Sequence, residues 1–172
     1  MRQRSVGFFG IYLILLLAQM VITNYFHLTY YVTLSLLPAL ILFLPSGIGA
    51  VGAMLIAALT GLTVDSLAEG LPGLNMLALV PVAFARRTIL SLVCGSEFYA
   101  NSENLSMKRH GNGKVVTVLL IGEALFLAIY IWADSAGTTP FWFNVLRFVC
   151  SLAAGLLLCL LSADLLSDNG RD

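Results

Sequence analysis

The sequence predicts an all-α membrane protein with six transmembrane helices, and three observations lead to this prediction. Hydrophobic residues make up 59% of the 172 positions, charged residues make up only 10%, and the mean hydropathy is +0.94. A soluble domain carries about 25% charged residues. Apolar runs that approach the ~20 residues needed to cross a bilayer alternate with polar stretches. The basic residues, finally, cluster beside alternate ends of these runs.

The first two apolar runs predict helices one and two. The first run covers residues 6–22 and follows Arg2 and Arg4. No small-residue cleavage site of a signal peptide follows it, so we interpret it as an uncleaved helix. The second run covers residues 30–44 and contains Pro38. We expect this proline to kink the helix and to free a backbone carbonyl group.

The third run covers residues 48–64, and a polar loop rich in glycine and proline separates it from the fourth. The fourth run soon meets a pair of arginines, so we interpret helix four as the short segment 74–86. Residues 88–99 would then lie along the membrane interface. The alternative is one longer helix that reaches Cys94, with the arginine side chains extending to the interface.

The last two runs cover residues 115–133 and 141–166, and the long polar loop 95–114 precedes them. Basic residues flank helix one and follow helices four and six. Three other loops contain neither lysine nor arginine: 23–29, 65–73 and 134–140. With six helices, all basic segments fall on one side of the membrane. Because basic loops stay in the cytoplasm, we expect both termini and the loop 95–114 to be cytoplasmic.

Composition and motifs argue against several classes of function. Nine basic and nine acidic residues cancel, so the chain has no basic field for nucleic acid. The sequence contains no phosphate-binding loop, dinucleotide fingerprint, zinc-protease motif or nucleophile elbow. Its two histidines fall on opposite sides of the predicted membrane, and its three cysteines have no C-x-x-C spacing. We therefore predict no enzyme, no metal and no cofactor.

Two predicted helices carry small residues at every fourth position. Those of helix three are Gly49, Ala53, Ala57 and Gly61. Those of helix six are Ser151, Gly155, Cys159 and Ala163. Such positions stack on one helix face and let a neighbouring backbone approach closely. We interpret both stripes as packing inside the protein, and the alternative is docking of a partner's membrane helix.

Glu123 and Arg147 are charged residues inside predicted helices five and six. A charge within a membrane span costs about 2.5–3.5 kcal/mol on insertion scales, so each side chain should find a partner. Arginine's reach could join the two in an ion pair, and Asp65 at the end of helix three is an equally good partner for Arg147. A solute or proton path and a protein interface are the other interpretations.

A motif spans the end of helix three and the start of helix four. It consists of Gly61-Leu62-Thr63-Val64-Asp65, a short loop, Gly73-Leu74-Asn75, and an apolar run that closes at Arg86. Across residues 45–90 this arrangement resembles the rod shape-determining protein MreD family, and its Bacteroidetes-type members most. In that family a small-residue-rich helix ends in G-L-x-x-D, and the next begins with G-[LM]-[NH]. The family's proline after the arginine is replaced here by Arg87.

The resemblance implies a fold similar to the substrate-binding components of energy-coupling-factor vitamin transporters. It implies a non-enzymatic scaffold of the cell-elongation machinery in the bacterial inner membrane, surrounded by lipid. The expected partners are an MreC-type protein and, directly or indirectly, the actin-like MreB and the peptidoglycan synthases RodA and its transpeptidase. Gly61, Asp65, Gly73 and Asn75 would shape the interface that MreC meets. The alternative, by fold analogy, is a vitamin-binding transport component.

Overall fold

The computed structural model describes residues 2–26, 32–69, 73–95, 105, 111–136 and 139–168. All regular structure in these ranges is helical, which confirms the all-α prediction for this part of the chain. The α-helices are α1 (Arg2–Phe26), α2 (Leu37–Leu42), α3 (Ala50–Val64), α4 (Leu74–Cys94), α5 (Asn112–Ser135) and α6 (Phe141–Asp168). A π-helical turn, Asp65–Glu69, continues α3. Most of the predicted loop 95–114 lies outside the described residues.

Four helical stretches in the described ranges have the length and the apolar composition needed to cross a membrane. They are Ala50–Ala68, Leu74–Cys94, Asn112–Ser135 and Phe141–Ala163. The apolar part of α1, Phe9–Asn24, is shorter, and α2 has only six residues. The described ranges therefore contain four helices of this kind, whereas the sequence predicts six.

Helix two differs most from its prediction over residues 30–44. Residues 32–36 form no regular secondary structure, the helix occupies only Leu37–Leu42, and residues 30 and 31 lie outside the described ranges. Pro38 lies in the first turn of α2. Proline is tolerated there because the N–H groups of a first turn have no partner within the helix. Pro38 is thus the second residue of the helix and does not kink it as predicted. We call residues 32–44 the discontinuous segment.

Helix four is one continuous helix over Leu74–Cys94, so the prediction of a short helix 74–86 is wrong and the longer alternative is correct. Residues 88–94 belong to this helix and not to a separate interfacial stretch. The helix ends at Gly95, whose φ of +100° is a left-handed conformation that favours glycine. The arginine pair does not end the helix, because Arg86 is buried inside the bundle.

The bundle is built by successive helix packing, with α3 along α4, α4 along α5 and α5 along α6. Helix α2 contacts every other helix, and all six of its residues are buried. Large apolar side chains remain exposed on the outer faces of α1, α3, α4 and α6. Exposed apolar faces of this extent are typical of helices that contact lipid. The bundle thus encloses a short non-helical stretch of backbone within long apolar helices.

The small-residue stripes mostly face the interior, as internal packing requires. Ala53, Ala57 and Gly61 of α3 are buried, as is the whole stripe of α6. Gly49 is the exception, because it is exposed and precedes the first residue of α3. It therefore contributes no interhelical contact of the kind that its spacing predicts.

Candidate functional site

Asp65 lies where α3 passes into the π-helical turn, and its side chain is completely buried. Its Oδ1 accepts hydrogen bonds from the backbone N–H and the side-chain Nδ2 of Asn75, at 2.9 and 2.8 Å. Its Oδ2 accepts from the backbone N–H groups of Gly73 and Met76, at 2.9 and 3.2 Å. We call these four hydrogen bonds the Asp65 cap. Asp65 is therefore a buried acceptor that anchors the start of α4, and it is not exposed to solvent at the end of α3.

The Asp65 cap supplies the hydrogen-bond acceptors that the start of α4 lacks. The first N–H groups of an α-helix have no intrahelical acceptor, and a negative charge is favourable near them. Gly73 immediately precedes α4 but has no side chain to cap it, and its φ of +108° suits glycine. A carboxylate from the preceding helix takes over this task. Asp65 consequently ties α3 to α4 across the intervening loop.

Gly61 allows α3 to approach the first turn of α4. A Cβ atom at this position would lie 2.5 Å from both the backbone N and the Cα of Met76. A contact that short with backbone atoms cannot be relieved by rotating a side chain. The structure therefore brings Gly61, Asp65, Gly73 and Asn75 together at one junction between α3 and α4. That these residues contribute to a partner interface stays a prediction.

Apolar side chains surround the Asp65 cap on the outside of the protein. Leu67 in the π-helical turn is 73% exposed, and Leu62, Met76 and Leu77 are also exposed. Asp65 and Asn75 are both buried, so neither side chain is available for direct contact with another protein. The junction presents an apolar surface whose geometry is set by a buried polar cluster.

Gln19 of α1 satisfies the backbone of the discontinuous segment. Its Oε1 accepts from the N–H of Leu36 at 2.7 Å, and its Nε2 donates to the carbonyl oxygen of Leu34 at 3.2 Å and to Thr23 at 2.9 Å. Backbone outside a regular helix in a membrane protein needs such partners, because lipid supplies none. Gln19 is not among the predicted site residues, although a single amide within the apolar run 6–22 is a signal that identifies it.

Arg147 of α6 binds the N-terminal part of the discontinuous segment. Its Nη1 forms an ion pair with Asp134 Oδ2 at 2.6 Å, and its Nε and Nη2 donate to Thr33 Oγ1 at 3.3 and 3.0 Å. The backbone N–H of Thr33 in turn donates to Ser151 Oγ at 2.8 Å. The expected pairing of Arg147 with Glu123, or with Asp65, is therefore wrong.

Arg86 of α4 binds the other end of the discontinuous segment. Its Nε donates to the carbonyl oxygen of Leu42 at 3.3 Å, and its Nη2 donates to that of Leu44. The last carbonyl groups of a helix lack intrahelical donors and carry partial negative charge, so a buried guanidinium is a favourable partner. Arg86 thereby caps the C-terminus of α2 instead of extending to the interface.

Glu123 of α5 is fully buried beside the discontinuous segment. Its Oε2 lies 3.4 Å from the Sγ of Cys159, and the same sulfur lies 3.6 Å from the carbonyl oxygen of Ser35. Its Oε1 lies against Gly155 and has no hydrogen-bond partner among the described residues. The carboxyl group is thus enclosed between α5 and α6 without a cationic partner in that part of the chain.

No protein-family model, no curated protein and no solved structure matches this chain. Two arrangements in the structure are candidates for a functional role. One is the Asp65 cap with its apolar surface, and the other is the discontinuous segment with its polar supports. In the described ranges, no three histidine, cysteine, aspartate or glutamate side chains are grouped as a metal site would require.

Proposed function

We propose that this chain is a membrane scaffold of the bacterial cell-elongation machinery, of the MreD type, and that it binds an MreC-type partner. The observation that carries the proposal is the convergence at the Asp65 cap. The residues through which the sequence resembles that family are Gly61, Asp65, Gly73 and Asn75, and these four meet at one junction. Four motif residues that meet at the α3–α4 junction support the resemblance better than their spacing in the sequence does alone.

The proposal includes six crossings of the inner membrane with both termini in the cytoplasm. Helix α1 would be one of the two additional crossings, since its 25 residues extend ~37 Å. The discontinuous segment would be the other. A fully extended chain over its first five residues would reach at most ~16 Å, and the six residues of α2 reach ~9 Å, against a hydrocarbon core of about 30 Å. A fold similar to the vitamin-transporter components is part of the same proposal.

The partner would contact the apolar surface around the Asp65 cap, with Leu67 the most exposed of its large side chains. Asp65 would act as a positioning residue, since its own side chain is buried. Loss of the carboxylate would release the first turn of α4 and so displace the surface. MreB, RodA and its transpeptidase would associate directly or through the MreC-type protein.

Co-purification of the tagged protein from detergent-solubilised membranes tests this proposal. Wild type would be compared with Asp65→Ala, Leu67→Ala and the control Leu92→Ala, which alters a similarly exposed leucine in the last turn of α4. We expect wild type and the control to retain an MreC-type protein, and the other two variants to retain less. Equal retention by all four proteins would contradict the proposed surface, and an absence of elongation proteins from every eluate would contradict the function.

A small-molecule-binding component of a transporter is the second candidate. The observation that favours it is the discontinuous segment beside Glu123, because broken helices near a buried charge often form solute sites in transporters. Fold analogy alone would be weak grounds for it. Mass spectrometry of small molecules in the same eluates separates the two. A bound vitamin-like compound without elongation proteins would favour transport.

A further inference from the structure

Glu123 is buried in the bundle, and within the described residues no cation pairs with its carboxyl group. Its Oε1 has no hydrogen-bond partner within the described residues. Two arginines of the neighbouring helices bind elsewhere, since Arg147 of α6 pairs with Asp134 and Arg86 of α4 donates to the end of α2, and Arg87 of α4 is exposed. Helix α2 itself carries no titratable side chain. An ionised carboxylate in such surroundings is costly, whereas a neutral carboxylic acid is not.

Counting hydrogens at Cys159 gives a second and independent indication. Its Sγ contacts two oxygen atoms, Glu123 Oε2 at 3.4 Å and the carbonyl oxygen of Ser35 at 3.6 Å. A thiol has one hydrogen, so it can donate to only one of them. An ionised Glu123 would take that hydrogen and leave the buried carbonyl of Ser35 without a donor. A carboxylic O–H supplies the missing hydrogen, and both contacts are then satisfied.

The geometry also limits what can occupy the site. Gly155 faces Glu123 Oε1 so closely that a Cβ atom at this position would overlap it. The carboxyl group therefore packs directly against the backbone of α6, and no group of three metal-ligating side chains surrounds it among the described residues. The Glu123 oxygen that has no hydrogen-bond partner is thus the one that packs against Gly155, where no side chain is present.

We propose that Glu123 is a proton-binding site within the membrane domain. As a neutral acid it donates a hydrogen bond from Oε2 to Cys159 Sγ, and the Cys159 thiol donates its own hydrogen to the carbonyl oxygen of Ser35. One O–H and one S–H serve two acceptors, and no covalent bond changes. This relay links α5, α6 and the discontinuous segment, so that the bound proton holds the backbone at Ser35 against the bundle.

Infrared spectroscopy of the full chain, reconstituted in lipid at neutral pH, tests the carboxyl group. Labelling with ¹³C-glutamate shifts the signals of the chain's four glutamates away from those of its aspartates. We expect a carbonyl stretch of a protonated glutamic acid in wild type and its loss in Glu123→Gln. The matched control is Glu69→Gln, which should retain the band. A wild-type spectrum with only carboxylate bands would overturn the proposal without reference to any variant.

The S–H stretch tests the relay from the other side. In a Cys94→Ala, Cys150→Ala background, Cys159 is the remaining thiol. We expect one S–H band shifted to lower frequency by its hydrogen bond to Ser35, and the carboxylic band should shift when Cys159→Ala is introduced. An S–H band at the position of a free thiol, or a carboxylic band that Cys159→Ala leaves unmoved, would contradict the relay.

Discussion

Asn75 donates two hydrogen bonds to the same oxygen of Asp65, one from its backbone N–H at 2.9 Å and one from its side chain at 2.8 Å. The two residues are ten positions apart and lie on consecutive helices. Because Asp65 Oδ2 also accepts from Gly73 and Met76, both carboxylate oxygens are used. This arrangement fixes the α3–α4 junction through charge-assisted hydrogen bonds, which are stronger than neutral ones.

Removing the Asp65 carboxylate should destabilise the protein. Asp65→Ala leaves the N–H groups of Gly73, Asn75 and Met76 without acceptors, and we expect a loss of about 3 kcal/mol in the free energy of unfolding. Asp65→Asn should be nearly as harmful, because its NH₂ group would face N–H donors. Asn75→Ala should cost less, since the backbone donor remains. Unfolding in mixed detergent micelles measures these differences, and Asp65→Asn with wild-type stability would contradict the cap.

A methyl group at Gly61 should separate α3 from α4. The Cβ of Gly61→Ala would meet backbone atoms of Met76 at 2.5 Å, and overpacking of this kind costs about 1–3 kcal/mol. Gly10→Ala is the matched control, because nothing lies within 4 Å of its Cβ position in α1. We expect the control to leave stability unchanged or to raise it by up to about 1 kcal/mol. Equal effects of the two substitutions would show that the close approach does not matter.

Substitution by lysine should change the stability of the protein differently at the two neighbouring arginines of α4. Arg86→Lys replaces a forked donor that reaches two carbonyl groups of the discontinuous segment, so we expect a loss of about 1.5–3 kcal/mol. Arg87→Lys, at an exposed position one residue later, should change stability by less than about 0.5 kcal/mol. The same micellar unfolding assay compares them. A larger loss of stability for Arg87→Lys than for Arg86→Lys would contradict the assignment of Arg86 as the buried arginine.

A double-mutant cycle should identify the partner of Arg147. The ion pair with Asp134 is partly exposed, with 13% and 30% of the two side chains accessible, so we expect a coupling of about 0.5–1 kcal/mol between Arg147→Gln and Asp134→Asn. The corresponding cycle with Glu123→Gln should give a coupling near zero. A strong coupling to Glu123 would restore the pairing that the sequence first indicated.

Local properties of the chain were readable from the sequence. Apolar runs correctly located α3, α5 and α6 to within a few residues, because hydropathy and helix length are local quantities. The motif around Asp65 identified residues that do meet, since the loop joining α3 and α4 is short enough to constrain them. The predicted helix four is shorter than α4 because two adjacent arginines in a sequence are typical of a membrane boundary, and burial of one of them is not visible there.

The helical class, the apolar runs and the junction motif can be derived from the amino-acid order, because all three depend on neighbours along the chain. Which partner each buried polar group takes follows instead from how the helices pack. Arg147 binds Asp134 and Thr33, the latter 114 positions away, and Arg86 binds the end of α2. In an apolar interior a polar group must find a partner wherever the fold places one. That choice depends on distances between helices, which hydropathy and spacing do not contain.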